Sequence, residues 1–157
     1  MSFAPFDVQP VADRLRAQVS MLRQVGLAAD YAAVQNLRDF VVPSCFVILA
    51  KELFEPAAPG HGRRGDQVST PQRGVVSFGV VTVGRNYREQ RGAQLVGEIG
   101  QLLKQVRQCL QGWIPDVPGA RPLQLRQGDL LQYDNSTALW CDVWTTQIIL
   151  APEAATP

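Results

Sequence analysis

The side chains that most often carry catalysis are sparse in this sequence. Its one histidine, His61, lies in the glycine-rich run Pro59–Gly65. A catalytic base must be held by a rigid support, which a run of this composition does not supply. The sequence has no Gly-x-Ser-x-Gly elbow, and no cysteine and histidine share the local context of a thiol nucleophile. We therefore predict that the protein is not an enzyme and has no catalytic residues.

The cysteines also argue against a reactive or metal-binding centre. Cys45, Cys109 and Cys141 are odd in number, widely spaced and set within apolar runs. This pattern favours small buried hydrophobic side chains in a reducing compartment over a disulfide framework or a zinc site. The carboxylates are scattered too, and none of them has the spacing of a calcium or zinc site. We expect no metal and no cofactor.

Three aspartates lie near the C-terminal end. Asp129 and Asp134 flank a short apolar run, and the chemistry of a hairpin turn is sufficient to explain both. Asp142 differs, because it follows Cys141 within a run that also contains Trp140 and Trp144. We expect its side chain to face solvent or a partner.

The consecutive basic pair Arg63 and Arg64, together with Arg73, gives one segment a positive charge that Asp66 partly offsets. Residues 55–73 are rich in glycine and proline and show no periodicity, which predicts a long, exposed and flexible loop. Such loops are uncommon in compact domains unless they are functional or disordered. The loop is either a contact arm for an acidic protein surface or a nucleic-acid backbone, or a solvated segment that only maintains solubility.

Apolar periodicity then places the regular elements. Spacing of three and four residues predicts helices, and compact runs rich in β-branched residues predict buried strands. The predicted helices are Asp7–Val25, ending at Gly26, a short helix or single turn within Ala28–Leu37, and the long helix Arg88–Trp113. The predicted buried strands are Pro43–Leu53 and Gly74–Gly84.

The C-terminal part alternates between two faces over Leu139–Leu150, after shorter strand-like runs at Leu123–Arg126 and Leu130–Tyr133. With a turn at Asp134-Asn135, this pattern predicts a β-hairpin or a three-stranded meander. The fold class is therefore α+β: a mostly antiparallel sheet with an N-terminal helix and one long helix packed on it. We expect a single domain over residues 1–150 and a disordered tail over 151–157.

Charge and hydropathy exclude some function classes. Fifteen basic and 14 acidic residues give a net charge of +1, whereas a nucleic-acid footprint normally needs a basic excess. The apolar runs are too short to cross a bilayer, and the first residues lack a secretory pattern. We therefore expect synthesis in the cytoplasm. Charged residues make up 18% of the chain, which favours either contacts with other proteins or an ordinary domain with few ion pairs.

The ordered set of these motifs resembles the tail terminator (tail completion) proteins of long-tailed bacteriophages. The resemblance is carried by the strand Arg73–Val83 with Gly84-Arg85-Asn86 at its end, and by a helix that closes on Leu110-Gln-Gly-Trp-Ile-Pro115. It continues through Pro122-Leu-Gln-Leu125 and Gly128-Asp-Leu-Leu131 to the last strand, Leu139-Trp-Cys-Asp-Val-Trp-Thr-Thr-Gln147. It extends over most of residues 8–150.

The resemblance implies a structural virion protein in the tail or neck, made in the host cytoplasm. Such proteins form a ring, here expected to contain six copies, that caps the tail tube, ends its polymerisation and meets the head-side connector. The implied partners are further copies of the chain, the tail-tube protein and the connector or head-completion protein. DNA would pass through the ring without sequence-specific binding.

Five residues are predicted to lie at interfaces. Arg63, Arg64 and Arg73 are expected to meet the tube or a neighbouring subunit, and Arg85 and Asp142 are expected to serve subunit contacts or the exposed sheet face. Another neck protein, a tail-tube subunit and, more distantly, a ligand-binding or nucleic-acid-binding module are the alternative functions.

Overall fold

The computed structural model describes residues 3–85, 98–134 and 136–152. These residues form one five-stranded sheet with helices on both faces. The elements, in chain order, are α1 (Gln9–Gln18), β1 (Gln24–Leu27), α2 (Ala28–Ala32), a 3₁₀ turn (Leu37–Asp39), β2 (Ser44–Phe54), β3 (Gln72–Arg85), α3 (Glu98–Leu110), β4 (Gln124–Tyr133) and β5 (Thr137–Leu150).

The strand order across the sheet is β1-β2-β3-β5-β4. β1 and β2 are parallel, and the other three neighbouring pairs are antiparallel. The predicted α+β class with a mostly antiparallel sheet is confirmed. β4 and β5 form the two sides of the predicted hairpin, of which Asn135 lies outside the described residues.

Helices α1 and α3 pack on one face of the sheet, which we call the covered face. In the two long central strands, the even-numbered residues point to this face, including Phe78 and its register partner Trp144, both fully buried. The helices contribute buried residues three or four positions apart: Val11, Ala12 and Leu15 from α1, and Ile99, Leu102, Leu103, Val106 and Leu110 from α3. Burying a large apolar side chain of this kind stabilises a fold by about 1.5–3 kcal/mol.

The predicted first helix is too long. α1 ends at Gln18, and the residues predicted to form its last turn instead form β1, where Val25 lies opposite Cys45. Gly26 therefore lies within a strand and not at a helix end. A Cβ atom at Gly26 would come within 2.8 Å of Asp30 Cβ and 3.0 Å of Phe46 Cδ1, so the close approach of these segments requires glycine. Pairing with a distant strand outweighed local helical spacing.

Helix α2 and the 3₁₀ turn cover one end of the other face. There Phe46 contacts Tyr31 and Phe40, with ring centroids 5.7 and 5.6 Å apart, respectively. Val81, Val83 and Leu139 are buried in the same cluster. The short second helix or turn predicted within Ala28–Leu37 is thus confirmed, and it leaves the remainder of this face without a covering helix.

The predicted loop 55–73 is two residues too long, because Gln72 and Arg73 begin β3. Residues 55–71 contain neither helix nor strand and are almost entirely exposed, between β2 and β3. The described part of the predicted long helix, Glu98–Leu110, is helical, while residues 86–97, including Asn86, lie outside the described residues. α3 ends ahead of Gly112, whose φ of 79° lies in the left-handed region.

Candidate assembly surface

β4 is an edge strand of ten residues that is exposed along nearly its whole length. Its apolar side chains Leu130, Leu131 and Tyr133 are 42%, 50% and 59% exposed. One side of β4 pairs with β5, and the backbone groups of its other side face outward. A long edge with exposed apolar side chains is a template for association with another chain. Register shifts at Arg126 and Leu131 bend this edge locally.

An ion pair beneath β4 joins helix α3 to strand β5. Arg107 Nε donates to Asp142 Oδ2 at 2.8 Å, and Arg107 Nη2 donates to Asp142 Oδ1 at 2.7 Å. The indole N–H of Trp140 also donates to Asp142 Oδ1, at 2.8 Å. This hydrogen bonding raises the pKa of Arg107 above its ordinary value. The pair is bidentate, the strongest arrangement available to these groups.

The prediction that Asp142 faces solvent or a partner is therefore wrong. Its side chain is 1% exposed, whereas Arg107 keeps 39% of its side-chain surface in contact with solvent. Asp142 occupies an even-numbered position of β5 and so points to the covered face. The two flanking tryptophans are no sign of an exposed position, since Trp140 donates to the carboxylate and Trp144 is fully buried.

Gly128 allows β4 to lie close over this pair. A Cβ atom at Gly128 would come within 2.6 Å of Asp142 Oδ1, 2.9 Å of Trp140 Cζ2 and 3.0 Å of Arg107 Nη2. Any larger residue must displace either the strand or the ion pair. The buried pair and the edge strand are therefore mechanically linked.

The part of the opposite face that α2 leaves uncovered forms a shallow groove of about 880 Å³, which we call the open groove. Its apolar floor includes Leu53 and Val75, which are 58% and 41% exposed, and the half-buried Val143. Three exposed arginines, Arg73, Arg121 and Arg126, lie along it, and the described residues that line it include no carboxylate. Lys51 stands opposite Ser77, a further lining residue.

The segment that carries Arg121 is fixed to the sheet. Thr146 Oγ1 accepts a hydrogen bond from the Arg121 backbone N–H at 2.9 Å and donates to its carbonyl oxygen at 2.6 Å. Gly119, two residues earlier, has a φ of 78° and packs beside the Ile149 side chain. Arg121 thus projects from an anchored backbone, and sequence reasoning missed it because this anchoring joins distant parts of the chain.

The chain matches the phage tail terminator protein family over residues 1–154. It belongs to this family. Membership gives the chain a structural role in the phage tail. Comparison with curated proteins gives no significant match.

The chain carries its predicted interface arginines in three separate places. Arg63 and Arg64 lie in the exposed 55–71 segment, in a turn that the Arg63 N–H closes by donating to Asp66 Oδ2 at 2.9 Å. Arg73 and Arg85 lie at opposite ends of β3 on the same face, about 40 Å apart at the rise of an extended strand. The predicted residues therefore do not form one site.

Arg85 borders a different depression. It lines an open cleft of about 380 Å³ with Phe40, Val42 and Thr137, and its backbone N–H donates to Glu98 Oε2 at 3.0 Å. That bond ties the end of β3 to the start of α3. Arg85 itself is exposed.

The three cysteines of the chain are free thiols. Cys45 is fully buried as predicted, whereas Cys109 and Cys141 are half-buried. Burial raises the pKa of Cys45 to about 12, and it also raises the pKa values of Cys109 and Cys141. A raised pKa disfavours the nucleophilic thiolate.

Within the described residues, no group of three or more His, Cys, Asp or Glu side chains is arranged to hold a metal ion. The described helices include none that is long and apolar enough to cross a membrane.

Proposed function

We propose that this tail terminator forms a ring that caps the phage tail tube, ends tube polymerisation and joins the tail to the head-side connector. Beyond family membership, one observation supports this proposal: the exposed ten-residue edge strand β4 with three exposed apolar side chains. A chain that functions as a monomer usually protects such an edge. Its exposure is suited to a chain that completes its structure against other subunits.

The ring is expected to contain six copies joined head to tail. A head-to-tail contact uses two different surface patches of each subunit, and a ring results when the rotation between neighbours closes. β4 supplies one patch. The buried Arg107–Asp142 pair supports β4 from below, so we assign Asp142 an indirect role in positioning this edge.

Arg63 and Arg64 are proposed to contact the tube or a neighbouring subunit. They lie in an exposed segment that separates two central strands, so the segment extends from a rigid support. Arg85, at the far end of β3, is proposed to serve a second contact with a neighbouring subunit. DNA passes through the lumen without sequence-specific binding, and the protein acts sterically, with no bond made or broken. It resides in the virion after synthesis in the host cytoplasm.

Tail length in particles made without this gene product tests the proposal. Negative-stain electron microscopy should show overlong, headless tubes of variable length, and supplying the protein in trans should restore uniform tails. A chain with Arg63→Glu and Arg64→Glu should fail to restore them while keeping its circular dichroism spectrum. Lys104→Glu, a charge reversal at an exposed position on α3, is the control and should restore them.

Other outcomes point to the alternative functions. Tails of normal length on empty or leaking heads would place the protein on the head side of the neck. Spontaneous tube formation by the purified protein would identify it as a tube subunit. Particles indistinguishable from the parent phage would contradict a role in the tail.

A further inference from the structure

The two halves of strand β4 carry opposite charge. Its first half contains Arg126, which lines the open groove. Its second half and the turn that follows form the segment Asp129–Asp134, with two carboxylates and no basic residue. The three exposed apolar side chains of β4 lie between these carboxylates. We call Asp129–Asp134 the acidic segment.

Within the described residues, both carboxylates of the acidic segment accept hydrogen bonds only from nearby residues of the chain, and the charge of Arg38 also acts on Asp134 without forming an ion pair. Asp129 Oδ2 accepts from Gln127 Nε2 at 2.8 Å. Asp134 Oδ1 accepts from the backbone N–H groups of Ser136 and Thr137, each at 2.8 Å, and these bonds lower the pKa of Asp134. Within the described residues, the ion pairs are Arg16–Asp13 and Arg107–Asp142, so neither carboxylate has a cationic partner within ion-pair distance.

The open groove is complementary in both charge and polarity. Arg73, Arg121 and Arg126 lie along it without a lining carboxylate, and Leu53 and Val75 are exposed on its floor. Glu55 stands beside Arg73 across the ladder, since its N–H donates to the Arg73 carbonyl oxygen at 2.9 Å, but the two side chains form no ion pair. Glu52 points to the covered face, where it accepts from the Phe6 N–H at 2.7 Å.

The dimensions also agree. The groove spans strands β2, β3, β5 and β4, and three strand spacings of about 4.8 Å give a width of about 14 Å. At the rise of an extended strand, about 3.3 Å per residue, Leu130 to Tyr133 spans about 10 Å and Asp129 to Asp134 about 17 Å. The acidic segment is thus long enough to bridge the groove and bring its two carboxylates near the flanking arginines.

We infer that the acidic segment of one copy docks into the open groove of the next copy. This inference rests on the proposed function, because it specifies the subunit contact of the ring. Segment and groove are different patches of the same chain, so the contact is head to tail and each subunit keeps one free segment and one free groove. Repetition of the contact does not stop at a dimer, and it builds a ring when the rotation between neighbours closes.

Charge reversal on each side of the contact tests this inference. The groove variant carries Arg121→Glu and Arg126→Glu, and the segment variant carries Asp129→Arg and Gln132→Arg. All four side chains are exposed. Asp134 is left unchanged because it closes the turn. Lys104→Glu, on the covered side of the molecule, is the control, and circular dichroism confirms that each variant is folded.

Light scattering coupled to size-exclusion chromatography, over a concentration series, measures the mass of each assembly. The parent and the Lys104→Glu control should form a closed ring. Each charge-reversed variant alone should associate about 100-fold more weakly, because like charges then face each other. Mixing the two variants should restore a ring of alternating subunits, and a single chain with all four changes should also recover.

Three results would overturn the inference: charge-reversed variants that assemble like the parent, a mixture that stays monomeric, or a parent that forms no assembly larger than a dimer. Nucleic acid or an acidic segment of another protein would then be the occupant of the groove. The length of the tails that each variant restores in trans distinguishes a wrong subunit contact from a wrong proposed function. If both charge-reversed variants still restore uniform tails in trans, the contact is wrong while the terminator role stands.

Discussion

Arginine occurs in two contrasting settings on the two sides of one sheet. On the covered face, Arg107 reaches from α3 to the buried Asp142 and forms a bidentate pair that Trp140 completes. On the opposite face, Arg73, Arg121 and Arg126 line a groove that contains no carboxylate. The first arginine has its ion-pair partner within the chain, whereas the other three have none among the described residues. The difference separates a charge that holds the fold together from charges available to a partner outside the chain.

Among the substitutions that test this contrast, Arg107→Leu should lower the free energy of unfolding most. It would leave the carboxylate of Asp142, which is 1% exposed, without its cation. Removing one partner of a buried pair costs about 3–5 kcal/mol, and we expect about 3 kcal/mol here because Arg107 is partly exposed. Urea unfolding should show a lower midpoint with an unchanged slope. A loss below about 0.5 kcal/mol, the range of ordinary surface changes, would contradict a stabilising role for the pair.

Gly128→Ala should have the next largest effect. The added methyl group would lie 2.6 Å from Asp142 Oδ1, so β4 must move outward or the pair must rearrange. Overpacking of this kind costs about 1–3 kcal/mol. The matched control is Gln127→Ala, at the adjacent exposed position. Its urea midpoint should equal that of the parent. Equal stability of the two variants would show that β4 does not rest on the ion pair.

The cysteines give a chemical comparison of the same two faces. Cys45 lies on the covered face with its pKa raised to about 12 by burial, while Cys141 is half-buried on the opposite face. With iodoacetamide at pH 8, we expect Cys45 to react at least about tenfold more slowly than Cys141, since it must wait for the fold to open. Peptide mass spectrometry measures both rates. Equal rates would mean that the covered face opens readily.

The smallest expected change in stability belongs to the groove. Replacing Arg121 and Arg126 by alanine should alter the free energy of unfolding by less than about 0.5 kcal/mol, because neither side chain has an ion-pair partner within the described residues. The same variant should nevertheless assemble poorly. A destabilisation as large as that of Arg107→Leu would show that the groove arginines also stabilise the fold.

Local patterns predicted the central part of the fold. Compact apolar runs located β2 and β3, and the helical spacing of apolar residues located the described part of α3. The segment ending at Val25 failed this reasoning because its strand pairing with Cys45 is a non-local interaction. The apolar residues there do have helical spacing, but this spacing does not reveal that the segment pairs with β2.

The candidate surface was less accessible to sequence reasoning. Asp142 looked exposed because its cation, Arg107, lies 35 residues away on a helix. Neither Arg121 nor Arg126 belongs to a basic cluster in the sequence. The sheet register brings Arg126 beside Arg73, and hydrogen bonds with Thr146 bring Arg121 there. The charges of an exposed segment such as 55–71 can be recognised in the sequence. The charges of a groove assembled from four strands come together only in the fold.

Polymerisation of purified tail-tube protein, with and without this chain, is the most direct test of the central claim. Tube length, followed by electron microscopy over time, should stop increasing once the tail terminator is added, and its density should appear at a tube end. Tubes that continue to grow at the same rate, with no protein at either end, would contradict the claim.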